Sequence, residues 1–129
     1  MREITFHKVE GKGGGYDGNG LIVEDEPGQG GACHKYRVYD PHYSDPDSLD
    51  ATLAVIDFQN GPIQEVGVNG VQQEDLLAVV IDRLSAFQAG PFANNYNATA
   101  LDHCKQALAA LQQRTRDRLA RGVEGFNKQ

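Results

Sequence analysis

The sequence has little cysteine and no long apolar segment. Its 129 residues include two cysteines, Cys33 and Cys104, which are too few for a disulfide framework and too widely spaced for a cysteine-based metal site. We expect two free thiols in a reducing compartment. No apolar run approaches the roughly 18 residues that cross a bilayer, and the opening MREITFHKVE lacks the apolar core of a secretory signal. These absences predict a cytoplasmic protein without a membrane partner.

Positive charge is also scarce, and it is unevenly distributed. Twelve basic residues face eighteen acidic ones, for a formal net charge of −6. From Lys105 to the end, six basic residues accompany two acidic ones, so this tail carries +4 and the rest of the chain carries −10. A negative overall field repels nucleic-acid polymers, whereas a local cluster of arginines can still bind a small anion. The arginines of this cluster are Arg114, Arg116, Arg118 and Arg121.

The first half of the chain has the pattern of short strands. Apolar and β-branched segments separated by glycine and proline predict strands over residues 4–9, 20–25, 33–40 and 52–60, with residues 61–66 as an optional fifth. Gly13, Gly15 and Gly18 fit the dinucleotide-binding spacing G-x-G-x-x-G. That motif opens a helix, whereas LIVED after these glycines predicts a strand, so a hairpin loop is the favoured interpretation.

The second half has helical periodicity. Asn69 is a candidate N-cap with Gln72 at N3, and Gly90 and Pro91 end the first helix. Its apolar positions, which predict a helix packed on two sides, are Leu76, Leu77, Val80, Ile81, Leu84 and Phe87.

A second helix of about 24 residues is predicted to follow a short turn. Asn97 is its candidate N-cap, Tyr96 and Leu101 form a hydrophobic staple, and Gly122 ends it. The expected fold is therefore α+β. A small N-terminal antiparallel β-sheet, residues 1–66, precedes a C-terminal antiparallel two-helix hairpin, residues 67–129.

No local motif indicates catalysis. The four histidines, His7, His34, His42 and His103, lack metal-ligand spacing, and no serine lies in a nucleophile motif. The acidic residues from Asp45 to Asp50 lack the glycine and distal glutamate of a calcium loop. We therefore expect a protein that is not an enzyme, with no cofactor and no metal.

The arginine cluster has two interpretations. Cations near a helix C-terminus complement the helix dipole, and Asp117 is spaced to pair with Arg114 or Arg121. One aspartate cannot neutralise four arginines, however, and Arg114, Arg118 and Arg121 recur at i, i+4 and i+7 on one helix face. That arrangement suits bidentate contacts with phosphate oxygens.

Three long phrases of the chain resemble a known family. They are FQNGPIQEVGVNGVQQEDLLAVVIDRL, SAFQAGPF and QQRTRDRLARGVEG, and together they span about residues 58 to 125. They resemble the phage Thoeris anti-defence family, whose C-terminal hairpin is shared with the anti-CBASS sponge proteins. The resemblance implies sequestration, without cleavage, of cyclic nucleotide immune signals in the host cytoplasm. The implied signals are cyclic ADP-ribose variants, with a cyclic oligonucleotide at a separate site as an open alternative.

The resemblance also implies four ligand-binding residues. They are Phe87, whose ring would stack on adenine; Asn97, whose amide would donate and accept hydrogen bonds; and Arg114 and Arg118, which would bind the pyrophosphate. The family often has Cys-Arg-Glu before the turn asparagine, where this chain has Asn94, Asn95 and Tyr96. A basic group is therefore missing from the turn. If that group helps to hold a cyclic oligonucleotide, the second site of this chain is weakened or differently selective.

Helix geometry separates these residues. At about 1.5 Å rise per residue, Asn97 and Arg114 on one helix lie roughly 25 Å apart, farther than one small nucleotide reaches. We therefore predict that two protomers form each site, in a homodimer or a higher homo-oligomer such as a hexamer. Two other functions stay open at this point: a hydrolase of the same nucleotides, and a small DNA-binding regulatory protein that uses the arginine-rich helix.

Overall fold

The first half of the chain forms a four-stranded antiparallel sheet. A computed structural model of the protein describes residues 2–9 and 18–122. The strands are β1 (Arg2–Glu3), β2 (Gly20–Val23), β3 (Lys35–Tyr39) and β4 (Thr52–Asp57), in the order β1-β2-β3-β4. Neighbouring strands along the chain are thus neighbours in the sheet. The glycines Gly13 and Gly15 of the predicted hairpin loop lie outside the described residues.

The first predicted strand, residues 4–9, is wrong. β1 ends at Glu3, and although the Ile4 amide still donates to the Leu21 carbonyl at 2.8 Å, the chain then turns, with the Lys8 amide donating to the Thr5 carbonyl at 3.0 Å. Phe6 is 90% exposed, so the segment has no apolar face to bury against the sheet. The predicted strand after the glycines is confirmed by β2, and no helix follows those glycines.

The pairing of β2 with β3 brings aromatic and apolar side chains of the sheet into close contact. Gly20 pairs with Tyr39, and a Cβ at Gly20 would overlap the Tyr39 ring, so any other residue there would displace this ring. Val23 is 1% exposed and pairs with Tyr36, whose ring meets the Phe58 ring edge to face with centroids 5.5 Å apart. These contacts form the apolar core of the first half.

A buried arginine ties the long loop between β3 and β4 to the sheet. Arg37 is 7% exposed, and its guanidinium donates to Glu24 Oε1 at 3.3 Å, to Asp47 Oδ1 at 3.0 Å and to the Pro46 carbonyl. It also lies over the Tyr39 ring at 5.6 Å from the centroid. A buried cation needs such partners, so this arginine is structural.

Helices make up the second half. They are α1 (Ile63–Val66), α2 (Gln73–Gln88) and α3 (Asn95–Ala120). Residues 63–66 are therefore helical, which corrects the optional fifth strand over residues 61–66. Proline at the start favours a helix because its missing N–H needs no partner there, and the Gly67 amide closes the turn on the Ile63 carbonyl at 2.8 Å.

Both predicted N-caps are wrong by three residues. The N-cap of α2 is Gln72, which exchanges hydrogen bonds with Asp75, and not Asn69. The N-cap of α3 is Asn94, whose side chain accepts from the Asn97 amide. Because α3 begins earlier than predicted, Tyr96 lies inside it and is 89% exposed, so the predicted staple with Leu101 does not form.

The helix ends and the pairing of the two helices agree with the sequence. Gly122 follows α3 with φ of 71°, as expected of a C-terminal glycine. The turn between α2 and α3 has six residues, and Glu74 near the start of α2 lines one cavity with Thr115 and Arg116 near the end of α3. The two helices are therefore antiparallel, and the predicted α+β class is confirmed.

The chain forms two units, Met1–Asn60 and Gly61–Gln129. The helical hairpin lies wholly in the second unit. That the second unit carries the ligand site and the oligomer interface stays a prediction. Among the described helices, none is both long enough and apolar enough to cross a membrane.

Candidate functional site

A chain of hydrogen bonds organises the turn between α2 and α3. Gln88 Oε1 accepts from the Asn94 amide at 3.1 Å, and Asn94 Nδ2 donates to the Phe92 carbonyl at 3.0 Å. Asn94 Oδ1 then accepts from the Asn97 amide at 2.8 Å. The end of α2 is thereby fixed to the first turn of α3.

Phe87 lies in the last turn of α2, at this organised end of the hairpin. Its half-buried ring meets the Phe92 ring at a centroid distance of 6.2 Å and an angle of 72°. The Arg83 guanidinium lies over the Phe87 ring, with its carbon 5.1 Å from the centroid. Both contacts restrict the ring, so it presents a fixed aromatic surface.

Asn97 lies on the other side of the turn, in the first turn of α3. Its backbone amide is capped by Asn94, and its half-buried side chain makes no hydrogen bond to any described residue. The amide side chain is therefore open to a ligand that presents both a donor and an acceptor. Phe87 and Asn97 are brought to the same end of the hairpin.

Arg114 lies near the opposite end of α3 and is exposed. No carboxylate among the described residues lies within salt-bridge distance of its guanidinium, and Asp117 instead accepts from Gln113 Nε2 at 2.9 Å. The interpretation in which Asp117 neutralises Arg114 is therefore not supported. An exposed arginine without a described partner is available to an anion.

Arg118 lies one turn beyond Arg114 but differs from it in burial. It is 7% exposed and, with Arg37, is one of two charged residues buried among the described residues. A guanidinium that has lost its water is held by its surroundings, so its removal disturbs folding as well as any ligand contact. Arg114 is the cleaner residue for mutational tests.

The four predicted residues form two separate pairs. α3 runs without interruption from Asn95 to Ala120, so Asn97 and Arg114 are about 25 Å apart along its axis. Phe87 and Asn97 lie at the turn, and Arg114 and Arg118 lie at the far end. Within one chain the members of each pair lie at the same end of the hairpin, and the two pairs lie at opposite ends.

Two cavities lie elsewhere. One of about 340 Å³ lies at the far end of the hairpin, lined by Glu74, Gln112, Thr115 and Arg116. The other, of about 470 Å³, lies on the sheet unit and is lined in part by Arg2, Asp25, Glu26 and Cys33. The lining of each cavity contains both arginine and carboxylate side chains. Neither cavity therefore offers a phosphate group the net positive surroundings that Arg114 offers.

The sheet unit places a thiol, an imidazole and a carboxylate near one another without a nucleophilic arrangement. Cys33 Sγ donates to the Asp25 carbonyl at 3.6 Å, and His34 Nδ1 lies 3.5 Å from the Asp25 carboxylate. The thiol therefore faces the backbone and not the imidazole that would have to activate it. Among the described residues, no group of three or more histidine, cysteine or acidic side chains is placed to hold a metal ion.

Backbone donors govern the electrostatics of this region. The Lys35 amide, and then the amide and ring of His34, lower the pKa of Asp25 below its ordinary value of 3.8. Burial, with the nearby Glu3 carboxylate, raises the pKa of Tyr39. These shifts belong to residues that hold strands together and do not mark a catalytic group.

The position of Arg83 at the Phe87 ring was not predicted from the sequence. Two features of the sequence indicate it. Arg83 precedes Phe87 by four residues on a predicted helix, and it is the only lysine or arginine between Arg37 and Lys105.

Comparisons with known proteins identify the family to which the chain belongs. A family profile described as "Acb2/Tad1, hairpin domain" matches residues 50–116, slightly more than half of the chain. The chain is also 42% identical over 101 residues to "Thoeris anti-defense 1" of Bacillus phage SBSphiJ7. That alignment covers 78% of this chain and 66% of the relative, so it spans just under two thirds of the relative's length. The family predicted from the sequence is confirmed, and the chain belongs to the Acb2/Tad1 hairpin-domain family.

Proposed function

We propose that this protein blocks a bacterial anti-phage defence by binding a cyclic ADP-ribose type nucleotide and holding it uncleaved. Membership of the hairpin family and the similarity to a protein named Thoeris anti-defense 1 support the anti-defence role. The ligand class is the one that the sequence resemblance implies. The protein acts inside the infected host cell, where lowering the free signal is sufficient and no chemical step is needed.

The observation that carries this proposal is the set of unused polar groups on the hairpin. The side-chain amide of Asn97 and the Arg114 guanidinium have no hydrogen-bond or ion-pair partner among the described residues. Phe87 presents a ring restrained by Phe92, at the same end of the hairpin as Asn97. An adenine-stacking surface, an amide and a free guanidinium are together the donors and contacts that a cyclic nucleotide diphosphate needs.

Each ligand is held between two protomers. Phe87 and Asn97 of one protomer face Arg114 and Arg118 of its partner, because about 25 Å of helix separates these pairs within one chain. A two-fold antiparallel dimer then contains two equivalent sites. A larger homo-oligomer, such as a hexamer built from these dimers, preserves the same sites.

The surface of the hairpin is consistent with such an assembly. No residue of α2 is buried, and Val79 and Val80 on this helix are 65% and 43% exposed. On α3, Tyr96 is 89% and Leu119 is 62% exposed. Exposed apolar side chains at both ends of the hairpin favour burial against a second copy.

Calorimetry on the full chain tests the proposal. Purified protein titrated with cyclic ADP-ribose is expected to bind it, and heat denaturation is expected to release the ligand intact. Arg114→Ala should weaken binding by roughly tenfold or more, because a charge-assisted hydrogen bond is lost, whereas Arg116→Ala, an exposed arginine outside the site, should not. Release of a cleaved product would make the protein an enzyme, and salt-sensitive affinity for duplex DNA would support the DNA-binding alternative.

A further inference from the structure

Arg83 is placed against the aromatic ring of the proposed site. It precedes Phe87 by four residues on α2, the spacing that brings side chains into contact on a helix face. Its guanidinium carbon lies 5.1 Å from the centroid of the Phe87 ring, a cation–π distance. The ring proposed to stack on a base is therefore already accompanied by a positive charge.

That charge is isolated on the hairpin. Arg83 is the only lysine or arginine between Arg37 and Lys105, so it is the only permanent side-chain cation on α2 and on the first turns of α3. It is exposed, and no carboxylate among the described residues lies within salt-bridge distance of it. Its favourable interaction with an incoming anion is thus not offset by the loss of an existing ion pair.

We propose that Arg83 is a further ligand-binding residue, whose guanidinium donates to a phosphate oxygen of the nucleotide that stacks on Phe87. This inference rests on the proposed function. One ribose separates a nucleotide's base from its nearest phosphate, so a flexible guanidinium beside the ring that holds the base is within reach of that phosphate. Arg83 then supplies, from α2, a positive charge that the residues of the turn, Asn94, Asn95 and Tyr96, do not supply.

If Arg83 does not bind phosphate, its contact with Phe87 only stabilises the helix. An arginine over a phenylalanine at this spacing stabilises an exposed helix slightly. In that case, replacing Arg83 changes thermal stability a little and leaves the affinity for nucleotide unaltered. A ligand contact predicts the opposite pattern, a large change in affinity with almost no change in Tm.

The experiment compares charge with shape. Calorimetry on the full chain with cyclic ADP-ribose is run for the wild type, Arg83→Met, Arg83→Lys and the control Arg116→Met, with Tm recorded for each. Arg83→Met keeps apolar packing on Phe87 but removes the charge, and it should weaken binding by roughly tenfold or more. Arg83→Lys keeps the charge, and it should recover most of that loss. Arg116, an exposed arginine that bonds Gln113 at 3.2 Å, should tolerate methionine without loss of affinity.

The outcomes separate this inference from the function on which it rests. If Arg83→Met binds within about twofold of the wild type, or if the lysine and methionine variants lose affinity equally, the phosphate contact is refuted while nucleotide binding stands. If the wild type itself binds no cyclic ADP-ribose, the proposed function fails, and the assignment of Arg83 fails with it.

Discussion

The Asp25 carboxylate closes the connection between β2 and β3. It lies two residues after the end of β2 and accepts hydrogen bonds from the amide of His34, at 3.0 and 3.1 Å, and from the amide of Lys35, at 3.0 Å, where β3 begins. Two backbone donors, the amides of Lys35 and His34, favour the ionised form, which is why the pKa of Asp25 is lowered. The aspartate thus stabilises the sheet only while it carries its charge.

This residue predicts a pH dependence of stability. Because the folded-state pKa of Asp25 lies below the ordinary value of 3.8, its contribution is fully present above that value and is lost as the pH falls through the folded-state pKa. Asp25→Asn should lower Tm by a few degrees at pH 7, and the difference from the wild type should shrink below pH 3.8. Thermal unfolding by circular dichroism across that range measures it. A difference that stayed constant in acid would contradict the role of the charge.

At the scale of residues, the sequence indicates which side chains have suitable chemistry for a ligand, but it does not indicate the burial or the contacts of those side chains. Phe87, Asn97 and Arg114 could be selected because their chemistry and their phrases are visible in the sequence. The burial of Arg118 could not, because which arginine of a cluster loses its water depends on the tertiary packing around it. The contact of Arg83 with Phe87 likewise depends on a side-chain conformation that the sequence does not specify.

At the scale of elements, the bodies of strands and helices could be predicted but their boundaries could not. β2, β3 and β4 and both long helices lie where apolar periodicity placed them. The segments 4–9 and 61–66 did not form strands, since one lacks a buried face and the other has a proline at a position that suits a helix start. Short segments are decided by such details more than by periodicity.

The caps show why boundaries are hard to predict. Asn94, Asn95 and Asn97 all offer a side-chain oxygen, so the sequence presents several helix starts of similar quality. The turn decides among them, because the bond from the Asn94 amide to Gln88 orients Asn94 as the cap. Asn97 is left with a side chain that has no structural partner among the described residues.

A pair of variants separates capping from binding. Asn94→Ala should lower the free energy of unfolding by about 1 kcal/mol, because the first turn of α3 loses its cap. Asn97→Ala should change the unfolding free energy much less but weaken nucleotide binding. Urea unfolding and calorimetry on both variants test this. If Asn97→Ala proved to be the more destabilising change, the assignment of Asn94 as the cap would be wrong.

At the scale of the whole molecule, a long uninterrupted helix separates the two pairs of proposed site residues. α3 has 26 residues, with Asn97 in its first turn and Arg114 and Arg118 near its end. The uneven charge of the sequence follows the same division. The cluster of arginines lies at one end of the hairpin, and the aromatic residues of the turn lie at the other end. If all four residues serve one site, as we propose, that site requires a second copy of the chain.

Mixing two inactive variants tests this claim most directly. Phe87→Ala and Arg114→Ala are each expected to bind cyclic ADP-ribose weakly. In a mixed dimer of these variants, one of the two sites pairs an intact Phe87 with the intact Arg114 of the other chain, and the second site lacks both.

Equimolar co-refolding of the two variants, followed by calorimetric counting of high-affinity sites, is the decisive measurement. If each site is shared between protomers of a dimer, random mixing restores about a quarter of the wild-type sites, with wild-type affinity. A mixture that binds no better than the two variants measured separately would contradict the shared site.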